Sequence, residues 1–410
     1  MTARGYGQVG SIAASLAAIV LAGGLSGCAA APASAPTSEP PETAVSTAAG
    51  ASWSTLPESP LSPRRDAAGA WVSERFVVVG GWSDDPCPPT ADCLAPLLPP
   101  LSDGASFDPA TGTWQQIAAA PVPVVSRWGH VVVNNQLYLL TEDIGREDSP
   151  VVFLRYDPAA DAWARLPAPS VVSMLVAAGD RVVAIGTSDS LEEAVDSVFD
   201  PQGQGWISLP ADPLGPSSFR EGVWLGDSLL LTTHDLVADP GVRPELKLMR
   251  MAVLDQALEQ WTLLPDSEIL GGIATAVAGQ VVFPWTASED GGSQNNWGRS
   301  YANGGVFDPA DSSWSVLPEP PRGAGFEGEG LNGPGFEGSD GLSGRGLTIG
   351  DSTFVAGHLF NPATGEWTPV PAPGWGARSG QTAVSNSEVL FVWGGNTADG
   401  NVADGYLLRF

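Results

Sequence analysis

The sequence predicts an all-β chain, folded as one closed ring of seven four-stranded sheets. Three observations predict it. A tryptophan-centred segment recurs six times at a spacing near fifty residues, apolar runs of strand type precede most copies, and the two ends of the chain carry complementary halves of a seventh copy. Composition agrees with this reading. The 410 residues are 43% hydrophobic and only 16% charged, which excludes a highly charged disordered chain and a coiled coil. Fifty glycines and 37 prolines leave little room for long helices. Length alone, at roughly 150 residues per domain, would suggest two or three domains. The repeats replace that estimate with one ring over residues 51–410.

The N-terminal segment reads as a targeting signal. Arg4 supplies its positive region, an apolar run extends from about Ile12 to Leu25, and Leu25-Ser26-Gly27-Cys28 follows. The run is short for a bilayer span, and small residues precede the cysteine. It resembles a bacterial lipoprotein signal, whose L-[AS]-[GA]-C box is matched at all four places. The resemblance implies cleavage before Cys28, lipidation of that thiol, and an extracytoplasmic location on the cell membrane; an ordinary secretory peptide and an uncleaved anchor are the other readings. Residues 1–27 then form the signal, and residues 28–50, rich in Ala, Pro, Ser and Thr without apolar periodicity, form a flexible tether. Two cysteines remain, Cys87 and Cys93, six apart in a proline-rich loop. In an exported protein a disulfide is the simplest reading of that pair. A metal site is the alternative, without a nearby histidine or zinc-knuckle spacing to support it.

Six segments align without gaps: FDPATGTWQQI from Phe107, YDPAADAWARLP from Tyr156, FDPQGQGWISLP from Phe199, LDQALEQWTLLP from Leu254, FDPADSSWSVLP from Phe307 and FNPATGEWTPVP from Phe360. In each, seven positions separate the first apolar residue from the tryptophan, and an aliphatic residue follows three later. The physical reading is a hairpin. Asp-Pro opens a turn, because proline fixes its own φ and the aspartate side chain bonds the backbone ahead of it. Gly112 or Gly365 supplies a left-handed residue at the end of the turn. The tryptophan begins the next strand, which the Leu-Pro step ends. Upstream lie the apolar runs 75–81, 136–140, 181–186, 228–233, 280–285 and 388–395, so each repeat offers about four short strands.

The repeat tryptophans Trp114, Trp163, Trp206, Trp261, Trp314 and Trp367 are 49, 43, 55, 53 and 53 residues apart. With the Gly-Gly doublets at Gly80-Gly81 and Gly394-Gly395 and the stretch Arg127-Trp128-Gly129-His130, this resembles the kelch repeat of β-propellers. Several copies lack the doublet, so the set is degenerate. Trp53, in ASWSTLP, matches the second half of a repeat, while LLRF at Leu407–Phe410 lines up with FLRY at Phe153–Tyr156. The expectation is a seven-bladed kelch-type propeller in which the N-terminal strand completes the C-terminal blade and removes the open edge. A six-bladed ring with an independent N-terminal strand is the alternative. Residues 322–350 carry eleven glycines where the first strands of the sixth blade belong, and read as a tolerated insertion, a mobile loop or a poorly formed blade.

Charge narrows the partners. Against 46 acidic residues stand 18 basic ones, of which only Lys247 is a lysine; the formal charge is -28, and -29 without the signal and its Arg4. Nonspecific binding to nucleic acid or anionic lipid is excluded, since counterion release needs clustered cations. The lipid anchor is then the expected contact with membrane. The long loops between second and third strands are acidic; none has the calcium-loop form, and a solvated rim is the simpler reading. No metal or cofactor is expected. Five arginines, Arg65, Arg127, Arg220, Arg322 and Arg378, fall shortly after the proline that ends a repeat. The kelch resemblance implies that this position faces the central channel near the ligand face, where guanidinium forks suit a carboxylate or phosphate. Trp128 and Trp375 beside them suit stacking on a sugar or a peptide side chain. The other reading makes the arginines structural struts paired with loop carboxylates or carbonyls.

Signatures of catalysis are mostly missing, with no H-E-x-x-H, G-x-S-x-G or P-loop. His130, His234 and His358 fall in three different blades. A copper-radical oxidase needs a free cysteine that the Cys87–Cys93 pair would consume, and the sialidase box is unmet. The expected function is a binding or interaction module for a protein or carbohydrate, such as an anionic sugar or carboxylate-bearing peptide held at an arginine-lined mouth. The alternatives are a carbohydrate-active enzyme of sugar epimerase or mutarotase type and a structural scaffold of an envelope complex.

Overall fold

The computed structural model describes residues 50–84, 98–125, 129–144, 149–170, 174–186, 194–202, 205–235, 248–269, 271–284, 304–318, 347–355, 357–371, 374–375 and 378–410. Seven antiparallel sheets of four strands make a seven-bladed β-propeller. Blade 1 runs Ala68–Val72, Arg75–Val79, Gly104–Asp108 and Thr113–Ile117, hydrogen-bonded in chain order from the innermost strand outward. Blades 2 to 6 repeat that order, with innermost strands His130–Val133, Met174–Ala178, Ser217–Trp224, Thr275–Val277 and Leu347–Ile349. The second strands of most blades carry apolar runs, because both faces are buried between neighbouring blades. Val77, Val78 and Val79, for example, are all buried.

Blade 7 closes the ring. Its first three strands are Thr382–Ser385, Val389–Trp393 and Gly405–Arg409; the fourth is Ser52–Thr55. Trp53 pairs with Leu408, whereas the LLRF and FLRY correspondence would place it opposite Phe410. The two-residue offset leaves every side chain on its expected face, because strand side chains alternate with a period of two. Seven buried apolar clusters fill the seams. The seam of blades 7 and 1 holds Phe76, Phe107, Phe391 and Trp393, with Phe76 stacked on Phe391 at 4.6 Å.

The two markers of each repeat are direct cross-strand partners: Phe107 with Trp114, Tyr156 with Trp163, Phe199 with Trp206, Leu254 with Trp261, Phe307 with Trp314 and Phe360 with Trp367. The turn between them is built as the sequence implies. Asp108 Oδ1 accepts from the Ala110 and Thr111 amides, which hold its carboxyl below the usual aspartate range. Asn361 does the same for Ala363 and Thr364. The fifth residue after the first marker is left-handed at Gly112, Asp161, Ser312 and Gly365, with φ of 67°, 45°, 58° and 71°, and in the Leu254 copy it is the fourth, Leu258, at 62°.

The tryptophans also latch the blades to one another. The indole N–H of Trp114 donates to the Pro57 carbonyl, Trp163 to Ala118, Trp206 to Pro167, Trp261 to Pro210, Trp367 to Pro318 and Trp53 to Pro371, at 2.8–3.1 Å. Each acceptor lies four residues beyond the tryptophan of the preceding blade. The repeat W-x-x-L-P thus carries both halves of a latch, a donor for one neighbour and an acceptor for the other. Trp53 takes part on the same terms, which ties the N-terminal strand to blade 6 as well as to blade 7.

Candidate functional site at the ring closure

The connections entering the innermost strands and the ends of the second strands meet at one end of the ring, here called the upper face. Arg65 pairs with Trp82 there, and Ser379 with Asn396, each as an isolated antiparallel bridge. The Gly-Gly doublets make this crossing possible. Gly80 has φ 72°, and a Cβ on it would sit 2.2 Å from the Val124 carbonyl oxygen. Any side chain would push the adjoining blade away.

Two arginines brace these crossings in the same manner. Arg64 donates through Nη1 to the Gly80 carbonyl at 3.2 Å and grips Asp103 with both Nη atoms, at 2.6 and 3.0 Å. Its Nε and Nη2 also reach the Ser62 carbonyl and hydroxyl. Arg378 donates to the Gly394 carbonyl and to Asp404, both at 3.0 Å. Asp103 and Asp404 each precede the glycine that opens a third strand. Burial pushes the Asp404 carboxyl up, but hydrogen bonds from Arg378 and the Tyr406 hydroxyl outweigh it and hold it below the usual range. Tyr406 is raised in turn by burial and by that carboxylate. Trp375 packs against Tyr406 at 4.1 Å and edge-on against Trp53 at 4.8 Å, and Arg378 lies 5.5 Å from the rings of both Trp375 and Tyr406.

Arg220 braces a different seam. It stands on the innermost strand of blade 4 but bonds into blade 3, donating to the Gly186 carbonyl at 2.9 Å and to Asp196 at 2.7 Å, with Asp212 at 3.0 Å. Its side chain is 0% exposed and those carboxylates 3% and 7%. One guanidinium therefore holds two buried carboxylates, and burial pushes the Asp196 carboxyl above the usual range in spite of its partners.

Arg65 differs from these. Its side chain is 18% exposed, bonded to Asp66 at 2.5 Å, 3.5 Å from Asp84, and 6.0 Å from the ring of half-buried Trp82. The Asp66 amide donates to the Gly380 carbonyl, and Asn401 donates to the Asp84 carbonyl, so blades 7 and 1 both build this corner. Arg127, Trp128, Arg322, Cys28, Cys87 and Cys93 lie outside the described residues. Arg64, which the sequence does not set apart from its neighbour Arg65, is the residue that matches Arg378. The shared Gly-carbonyl and aspartate partners show the match, and the Asp-Gly pairs Asp103-Gly104 and Asp404-Gly405 were the signal that could have found it.

No family model matches the chain, and no curated protein matches it. A solved structure described as "Structure of YjhT" matches over 87% of this chain and 99% of that one, with 16% identity and a TM-score of 0.42. The blade count stands on the strand pairing itself.

Proposed function

We propose that this chain is a lipid-anchored, extracytoplasmic binding module, held to the membrane through Cys28 and presenting a ligand site at the upper mouth of the ring. The observation that carries the reading is the contrast among the described arginines. Arg64, Arg220 and Arg378 spend their donors on carbonyls and carboxylates of the frame, whereas Arg65 keeps a solvent-reaching side chain beside the indole of Trp82. A partly exposed guanidinium next to an aromatic face suits a carboxylate borne on a sugar or a peptide. Asp66 and Asp84 would orient the fork until a ligand carboxylate displaces one of them.

Calorimetric titration with glucuronate and with short peptides ending in a free carboxylate tests this. Binding that weakens tenfold or more in Arg65→Ala supports the reading. Binding unchanged in that variant, or no binding of either probe class, overturns it. Cys28→Ser should move the expressed protein from the membrane fraction to the soluble one; if it stays with the membrane, the anchor is elsewhere.

A further inference from the structure

The ring closure presents the same frame twice, once at the entry to blade 1 and once at the entry to blade 7. Arg64 matches Arg378, and the isolated bridge of Arg65 with Trp82 matches that of Ser379 with Asn396. One residue further on, Asp66 matches Gly380, and the backbone is left-handed at both, with φ of 56° and 62°. A glycine meets that conformation without strain, whereas an aspartate meets it at some cost. Blade 7 therefore shows what the frame needs at these places: a serine, a glycine and an asparagine. Blade 1 puts an arginine, an aspartate and a tryptophan there, which the frame does not ask for.

The three stand together. Arg65 Nη1 bonds Asp66 at 2.5 Å, Nη2 lies 3.5 Å from Asp84, and the guanidinium lies 6.0 Å from the Trp82 ring. Two carboxylates thus share one guanidinium, so the corner carries an excess of negative charge. A ligand that brings only a carboxylate adds a third, and like charges placed together count against it. A ligand that brings an ammonium as well offsets its own charge. Asp66 is 42% exposed. A carboxylate has about four acceptor positions, so it can take an ammonium while keeping the bonds it already makes.

We infer that this corner takes a free α-amino acid, an inference that rests on the carboxylate site proposed above and narrows its ligand. The α-carboxylate sits on the Arg65 fork, where Asp84, the more distant of the two partners, yields Nη2. The α-ammonium sits against Asp66, and Trp82 offers its ring to an apolar side chain. Acidic sugars lack the neighbouring ammonium, and at a peptide C-terminus that nitrogen is acylated.

Calorimetric titration of the full chain with leucine, N-acetyl-leucine and leucine amide tests this, since the second lacks the ammonium and the third lacks the carboxylate. Leucine should bind at least tenfold more tightly than either. In Asp66→Asn it should weaken at least tenfold, to the level of N-acetyl-leucine, whose own binding is kept. Asp66→Gly carries the residue that blade 7 uses, and should behave the same way without disturbing the fold. Leucine amide bound as tightly as leucine, a preference for leucine that survives both Asp66 variants, or a loss of N-acetyl-leucine together with leucine in both overturns the inference. N-acetyl-leucine bound as tightly as leucine, with both lost in Arg65→Ala, overturns it too but leaves the carboxylate site standing. Binding of none of the three overturns both.

Discussion

Replacing Arg220 with methionine removes a guanidinium while keeping an unbranched side chain of similar length. The structure sets the size of the effect. Three hydrogen bonds and a second ion pair disappear, but the larger cost is what remains: Asp196 and Asp212, almost fully buried and left without their shared cation. Breaking a buried pair by deleting one partner costs about 3–5 kcal/mol, and two stranded carboxylates put this case at about 4–5 kcal/mol. With an unfolding entropy of roughly 2.1 cal/mol/K per residue over about 360 residues, that lowers the melting temperature by about 5–7 °C. The pH dependence has a definite sign. Burial already holds the Asp196 carboxyl above the usual range, and without the guanidinium it rises further, so the folded state retains a proton that the unfolded state has released, and stability falls as pH climbs above the ordinary aspartate range. The deficit should therefore be greatest at neutral pH and shrink toward pH 4. Urea denaturation of both proteins across that range is the assay. A loss below about 1 kcal/mol at neutral pH, or a deficit that grows on acidification, would refute the bracing role.

The same reasoning orders the other substitutions. Arg64→Met and Arg378→Met should each cost about 2 kcal/mol by urea denaturation, less than Arg220→Met, because Asp103 and Asp404 are 45% and 41% exposed and water replaces the lost partner. Arg378→Met should also be less acid-sensitive: the depressed Asp404 carboxyl contributes stability above the ordinary aspartate range that is lost as pH falls through its folded value, and the variant should show a smaller loss than the parent. Trp163→Phe keeps the aromatic contact with Tyr156 but loses the bond to the Ala118 carbonyl, for a cost of about 1–2 kcal/mol; a change below a few tenths would mean that the indole N–H is no latch. Ser312→Gly removes a left-handed serine from a turn and should raise stability by about 0.5 kcal/mol, read as a small increase in melting temperature.

Much of this architecture was legible in the sequence because the repeat states its own geometry. Phe107 and Trp114 are seven apart, which puts them opposite each other across a turn that Asp108 nucleates and Gly112 completes. The split repeat at Trp53 and Leu407 announced the closure in the same way. The latch between Trp163 and Ala118 was not legible, since the tryptophan and its acceptor lie 45 residues apart on strands that only the ring brings together. The sixth blade shows another limit. Its second strand, Ser352–Val355, has too short an apolar run to stand out after a glycine-rich stretch, and tertiary packing against its neighbours supplies what local pattern lacks. The arginines were found as a set, but their roles depend on neighbours no spacing reveals. Arg220 meets Asp196 in the preceding blade, and Arg64 rather than Arg65 answers to Arg378.

The central claim is that a strand from one end of the chain closes the ring on the other. Hydrogen exchange followed by mass spectrometry on peptides spanning Ser52–Thr55 and Gly405–Arg409 tests it most directly, since the two strands share their backbone bonds in the pairing of Ser52 with Arg409 through Thr55 with Tyr406. Gly405–Arg409, bonded on both sides, should be the more protected, and the Ser52–Thr55 amides bonded to it should also be protected and lose that protection in mild urea together with it, as one cooperative unit. Exchange of the Ser52–Thr55 amides within seconds, with Gly405–Arg409 still protected, would contradict the closure and leave an independent N-terminal segment on an open ring.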